Sequence, residues 1–125
     1  MSRLSLVVLQ TPLVAQDLAL TLEELTGGPT RIADSMDAAL EALAGLAPGA
    51  LRYAFVQSDS VSFRAHPLSA LVRRLGGLVA LMGHAAEVEA NRGDAQSDWP
   101  VLAQPFGSAQ VAEVLERLRP AALPD

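Results

Sequence analysis

The sequence predicts an α/β fold in which one parallel sheet is covered by helices on both faces. Three features predict it. Five short apolar runs recur along the chain, and segments with apolar residues at helical spacing lie between them. Clusters of Gly, Pro and small polar residues separate the two kinds of segment. The 125 residues suffice for one domain, residues 1–125, with a full core.

Residues 4–9 (LSLVVL) are nearly continuous in apolar side chains, the pattern of a strand covered on both faces. Gln10-Thr11-Pro12 interrupts the run, and Pro12 suits the first turn of a helix. Val14, Leu18, Leu22 and Leu25 then repeat at helical spacing, with Gln16, Glu23 and Glu24 off that stripe. Gly27-Gly28-Pro29 ends the helix. A short second strand is expected over 30–33. Asp34 or Ser35 caps a second helix whose buried face carries Met36, Leu40 and Leu43. Residues 45–49, with Pro48, form a loop. The third strand spans 53–56 and ends in Gln57-Ser58-Asp59-Ser60.

Residues 61–75 hold a third helix, with Pro67 near its start and Leu68, Leu71, Val72 and Leu75 on its apolar side. Gly76-Gly77 turns the chain into a fourth strand over 78–82. A short helix over 85–90 and a turn at 91–94 precede the polar stretch 96–98. The fifth strand spans 101–103. Val111, Val114, Leu115 and Leu118 line the last helix, which Pro120 ends.

Strands alternating with helices imply right-handed crossovers. At this length they give a flavodoxin-like three-layer α/β/α sandwich, with a five-stranded parallel sheet of order 2-1-3-4-5. The functional crevice of such a sheet lies at the carboxyl ends of its strands. The residues to weigh there are Leu9-Gln10-Thr11, Gln57-Ser58-Asp59, Met82-Gly83-His84 and Gln104-Pro105-Phe106.

Composition narrows the chemistry. The chain is 50% hydrophobic, 18% charged and has a net charge of −5, so a folded domain is expected rather than disorder. It contains no Cys, which excludes disulfides and thiolate metal sites and fits a reducing compartment. All nine basic residues are Arg, spread along the chain. No nucleic-acid footprint results, and no P-loop lysine or Schiff base can exist. No signal peptide is read at the amino terminus, and the run 75–86 is too short to span a membrane. The expectation is a cytoplasmic protein without membrane or nucleic-acid partners.

Four stretches carry a resemblance: LVVLQTPLV (6–14), AFVQSDS (54–60), LVALMGH (78–84) and PVLAQPF (100–106). In this order and spacing the chain resembles the receiver domain of chemotaxis-type response regulators over nearly its whole length. The stretch RRLGGLVALMGH resembles a receiver subgroup whose fourth strand ends in Thr-Gly-Tyr, with His84 where that subgroup places Tyr. The resemblance implies two-component signalling and phosphorelay chemistry. Such chemistry needs an acidic pair and an aspartate to hold Mg²⁺, the aspartate as nucleophile, a lysine and a Ser/Thr on the phosphoryl oxygens, and an aromatic switch residue.

Every one of those positions departs. The acidic pair falls on Leu9 and Gln10, the phosphoacceptor on Gln57, the Ser/Thr on Met82, the aromatic residue on Val101 and the lysine on Gln104. The losses are mutually consistent. Without carboxylates, a buried lysine would be an unpaired cation costing several kcal/mol. The resemblance therefore implies a degenerate pseudo-receiver with no metal and no cofactor, not an enzyme, acting by phosphorylation-independent protein–protein interaction. The partner is a signalling protein or a second copy in a homodimer. Gln10, Gln57 and Gln104 can form a neutral amide network, since each amide donates and accepts; the plainer alternative is that each faces water.

Receivers commonly meet partners through their fourth helix, fifth strand and fifth helix, which implies a surface carrying Trp99, Val101, Phe106, Val111 and Arg117, with Phe106 and Val111 also fitting the core. Other residues have plainer roles. Asp59 is a substitute phosphoacceptor or an exposed loop carboxylate. His66 and His84 lack metal-ligand spacing. Asp59 with His84 is a conceivable acid–base pair, but no nucleophile accompanies it. Ser58, Ser60 and Ser62 have no GxSxG elbow around them. A receiver phosphorylated at Asp59, and a small ligand-binding protein or enzyme using the crevice, remain the alternatives.

Overall fold

Strands β1 (Leu4–Val8), β2 (Thr30–Ala33), β3 (Leu51–Gln57), β4 (Leu78–Met82) and β5 (Val101–Leu102) lie side by side in the order β2-β1-β3-β4-β5. All four pairings are parallel. The computed structural model describes residues 3–92 and 99–118. The end of the turn expected at 91–94, the polar stretch 96–98 and Pro120 lie outside the described residues.

Alternation along each strand divides the core in two. Leu6 and Val8 of β1, Ala54 and Val56 of β3, and Val79 and Leu81 of β4 face one side. There they meet helices α2 (Met36–Leu43), α3 (Ser60–Ala65), α4 (Pro67–Arg74) and α5 (His84–Asn91) through Leu43, Phe63, Val72 and Ala86. Val7, Leu9, Tyr53, Phe55, Ala80 and Met82 face the other side. They are covered by helices α1 (Pro12–Thr26) and α6 (Ser108–Leu118) through Ala15, Leu18, Leu22, Val111 and Val114. A parallel sheet buried on both faces is what the near-continuous apolar runs encode.

Local chemistry explains the boundaries. Pro12 opens α1, and Gly27 closes it in the left-handed conformation at φ 75°, its N–H donating to the Glu23 carbonyl. Ser35, not Asp34, caps α2: its hydroxyl accepts from the Ala38 N–H at 3.0 Å. At the opposite end of the sheet, the Arg3 guanidinium donates to the carbonyls of Gly49, Leu51 and Gly76. One side chain thus ties the start of β1 to the loops before β3 and β4.

Three expectations are corrected. The single helix over 61–75 is two helices, α3 and α4, separated by His66 in extended conformation at φ −89° and ψ 142°. Pro67 is the reason: it disfavours helical geometry in the preceding residue and suits the first turn of a new helix. The buried stripe of α1 is Ala15, Leu18, Ala19 and Leu22, while Leu25 is 43% exposed. Ala15 lies with Leu18 and Leu22 in the core against the sheet, and Ala19 is buried beside them. The fifth strand stops at Leu102, one residue short of expectation. Among the described residues no helix is long and apolar enough to cross a membrane.

The break at His66 is itself well bonded. Its Nδ1 accepts from the Leu68 N–H at 3.0 Å, and its Nε2 lies 2.8 Å from Asp37 Oδ1 on α2. With Nδ1 accepting, the proton sits on Nε2 and is shared with Asp37. His66→Ala removes the cap of α4 and should lower unfolding free energy by about 1 kcal/mol. Asp37 is 89% exposed, and Asp37→Asn should cost only a few tenths of that. Urea midpoints of the two variants check the ranking.

Candidate functional site

The carboxyl ends of β1, β3 and β4 open onto a crevice of about 550 Å³. Gln10, Gln57, Met82, Asp59 and His84 line it, together with Asp34 and Ser35. Gln57 is the last residue of β3. Its side chain reaches across to the end of β1, where Oε1 accepts the Gln10 backbone N–H at 2.9 Å. On the β4 side it rests on Gly83. A Cβ built on Gly83 would lie 2.8 Å from Gln57 Cγ, and Gly83 has φ 98° and ψ 171°, a region that side chains avoid. One neutral side chain therefore spans the ends of three strands, and a glycine makes room for it.

Of the six positions singled out by the resemblance, Gln10, Gln57 and Met82 share this crevice. Met82 is fully buried, so its thioether serves mainly the core beneath α1 and α6. Leu9 is 3% exposed in that same core. Val101 is half-buried and packs against the opposite core. Gln104 lines a different hollow with Val14, Asp17, Pro105 and Phe106, and the Gln104–Pro105 peptide is cis. Its backbone N–H donates to Glu87 Oε2 at 3.1 Å. The three-amide network does not form. Gln57 bonds the backbone of Gln10 instead, and Gln104 points away on the β5–α6 loop.

These residues do not fit a Mg²⁺ site. A hard cation wants carboxylate oxygens, whereas Leu9 is apolar and buried and Gln10 and Gln57 offer only neutral amides. Among the described residues no group of three His, Asp or Glu side chains is placed to hold a metal.

Of the two acidic side chains that line the crevice, Asp34 is exposed and Asp59 is bonded to the start of α3. Asp59 caps α3, with Oδ1 accepting from the Ser62 N–H at 2.7 Å and Oδ2 from the Ser62 hydroxyl at 3.0 Å. Ser58 donates to the Asp59 carbonyl at 2.8 Å. Ser60, 2% exposed, gives its N–H and its hydroxyl to the two carboxylate oxygens of Glu89, at 3.0 and 2.6 Å. Glu87 and Glu89 thus extend from α5 to the β5–α6 loop and to α3. Sequence reasoning missed both; their spacing of two, pointing them to different sides of one helix, was the available signal. His84 is exposed at the start of α5 and makes no hydrogen bond to Asp59. His66 is committed to the α3–α4 junction.

The five residues expected to form a partner surface divide between the two cores and solvent. Trp99 and Val101 pack on the α2–α5 side, Trp99 with its ring edge to Phe63 at 5.1 Å and under the Arg64 guanidinium. Phe106 packs on the α1–α6 side, where Val111 is fully buried. Arg117 is exposed and pairs with Glu113 one turn away.

Comparison with known proteins fits this architecture. No family model and no curated protein matches the chain. Among solved structures it is similar to SdrG from Sphingomonas melonis Fr1, with a TM-score of 0.66 and 22% identity over 94% of this chain and 96% of that one. The likeness is one of fold.

The Gln57–Gly83 contact is testable by a double-mutant cycle. Gly83→Ala should destabilise by about 1–3 kcal/mol from backbone strain plus the clash. In a Gln57→Ala background the clash disappears and the cost of Gly83→Ala should fall; strict additivity of thermal unfolding free energies would contradict the contact.

Proposed function

We propose that this chain is a receiver-like domain of signal transduction that works by phosphorylation-independent protein–protein interaction. Three things support the reading: the four receiver-like stretches, the sheet order they imply, and the chemistry of the crevice. The observation that carries it is Gln57. At the end of β3, where the resemblance places a nucleophilic carboxylate, an amide accepts the Gln10 N–H and leaves no anionic oxygen. An amide oxygen is a poor nucleophile towards phosphorus, and no lysine exists anywhere in the chain to stabilise the transferring group.

The same arrangement weighs against a role for Asp59. Its two oxygens hold the start of α3, so phosphorylation there would remove a helix cap. The proposed domain is a binding module rather than a catalyst, and its crevice sets its shape. Incubation with Mg²⁺ and acetyl phosphate, followed by intact-mass measurement, tests this. The expected result is no phosphoryl adduct. An acid-labile adduct that disappears in Asp59→Asn would contradict the proposal and assign the phosphate to Asp59.

A further inference from the structure

The break between α3 and α4 carries chemistry that the crevice does not use. His66 stands there with both ring nitrogens engaged. Nδ1 accepts the Leu68 N–H at 3.0 Å, and Nε2 lies 2.8 Å from Asp37 Oδ1 of α2. The His66 side chain is 18% exposed, so solvent reaches the ring but does not surround it. A neutral imidazole has one N–H and one acceptor nitrogen, so these two bonds place its proton on Nε2. Nδ1 is then the one nitrogen that can take a second proton, and Nδ1 is also the cap of α4.

Among the described residues the charges around the ring are few. From α2, Asp37 is bonded to it, and Glu41 is exposed one turn further on. On α3, Arg64 lies over the Trp99 ring, and Glu89 of α5 is bonded to Ser60 at the opposite end of the helix. On α4 the charged residues are Arg73 and Arg74, in the last turn. Strand β4 has none. A second proton therefore acts on two contacts in opposite ways: the bond to Asp37 becomes an ion pair, and the Leu68 N–H is left facing another N–H.

We infer that His66 is a proton-operated latch between α3 and α4. An imidazole changes charge between about pH 5 and 8. When Nδ1 takes a proton from solvent, the ring becomes a donor on both sides. Asp37 keeps the ring, and α4 loses its cap. Because Pro67 has no N–H, the Leu68 N–H is the first amide donor of the helix. The loosening is confined to that first turn. Leu68 and Val72 stay fully buried in the core, and the Ser69 N–H keeps the His66 carbonyl at 3.0 Å. The latch stands behind two walls of the crevice. Asp37 follows Ser35 and Met36, which line one wall, and α3 carries Ser62 of the other before it ends at His66. The latch is independent of whether that crevice accepts phosphate.

The test uses the full chain labelled with ¹⁵N and titrated from about pH 8 to about pH 5. At the alkaline end the His66 ring should be the Nε2–H tautomer, with a scalar coupling across the hydrogen bond between Nδ1 and the Leu68 nitrogen. As His66 takes its second proton the coupling should vanish. The Leu68 amide should then lose about fivefold or more in exchange protection, corrected for the intrinsic pH dependence of exchange. This loss should follow the titration of His66 and not that of exposed His84. In His66→Asn the side-chain oxygen can cap the helix but does not titrate, so Leu68 protection should stay constant across the range. Asp37→Asn removes the carboxylate that holds the imidazolium, so the coupling should vanish at a lower pH than in the unaltered chain.

An Nδ1–H tautomer at the alkaline end would overturn the inference. So would Leu68 protection that is unchanged while His66 protonates, or the same pH-dependent loss in His66→Asn. Should His66→Asn fail to fold, Asp37→Asn decides: loss of the coupling at an unchanged or higher pH would contradict the latch.

Discussion

Burial of the sheet on both faces is the constraint on which the rest of the structure depends. Leu6, Val7, Phe55, Val56 and Leu81 are all fully buried, so none of the central strands has a free face on which to place polar chemistry. Buried polar groups without partners are costly. Function is therefore confined to the strand ends, the loops that leave them and the outer faces of the helices. The crevice lies at the first of these places.

At the strand ends, local hydrogen bonds replace charge chemistry. Gln57 bridges to Gln10 over Gly83, Asp59 caps α3, Glu89 grips Ser60 and Glu87 holds the Gln104 amide. These bonds join strand ends and the loops after them to one another and to α3 and α5. A charged site needs groups held ready for a ligand, whereas here Gln57, Asp59, Glu87 and Glu89 are bonded within the chain, and of the charged or titratable crevice residues Asp34 and His84 alone make no hydrogen bond among the described residues. Such mutual satisfaction favours one fixed arrangement of the loops over a switch between two. Glu89 carries the strongest geometry of the set, because both oxygens of one carboxylate bond one nearly buried residue.

Much of this was legible in the sequence. The five apolar runs gave the strands and their order, and the strand-end positions of Gln10, Gln57 and Met82 followed from them. Other features depended on tertiary geometry. Pro67 was visible as a helix starter, but the separate helix α3 needed Asp59 and Ser62 to close a cap, which side-chain spacing alone does not establish. Helical periodicity placed Leu25 inward and did not single out Leu13 and Leu20, because a Leu-rich helix satisfies several stripes at once. The packing of Ala15, Leu18 and Leu22 against the sheet decided between them. The amide network failed for a similar reason: three glutamines at three strand ends share a rim in sequence order, yet the β5–α6 loop carries Gln104 to a separate hollow beside Val14 and Asp17 of α1.

The account rests on a crevice lined by Gln10, Gln57 and Met82, in which Gln57 bonds the Gln10 amide. Its central claim is that the strand-end crevice is a fixed, hydrogen-bonded closure rather than an ion and phosphoryl site. The most direct measurement is a ¹H–¹⁵N titration of the whole chain with Mg²⁺, alone and then with acetyl phosphate. The account predicts that the amides of Gln10, Gln57, Gly83 and His84 keep their positions throughout. Saturable shifts at those amides would contradict it.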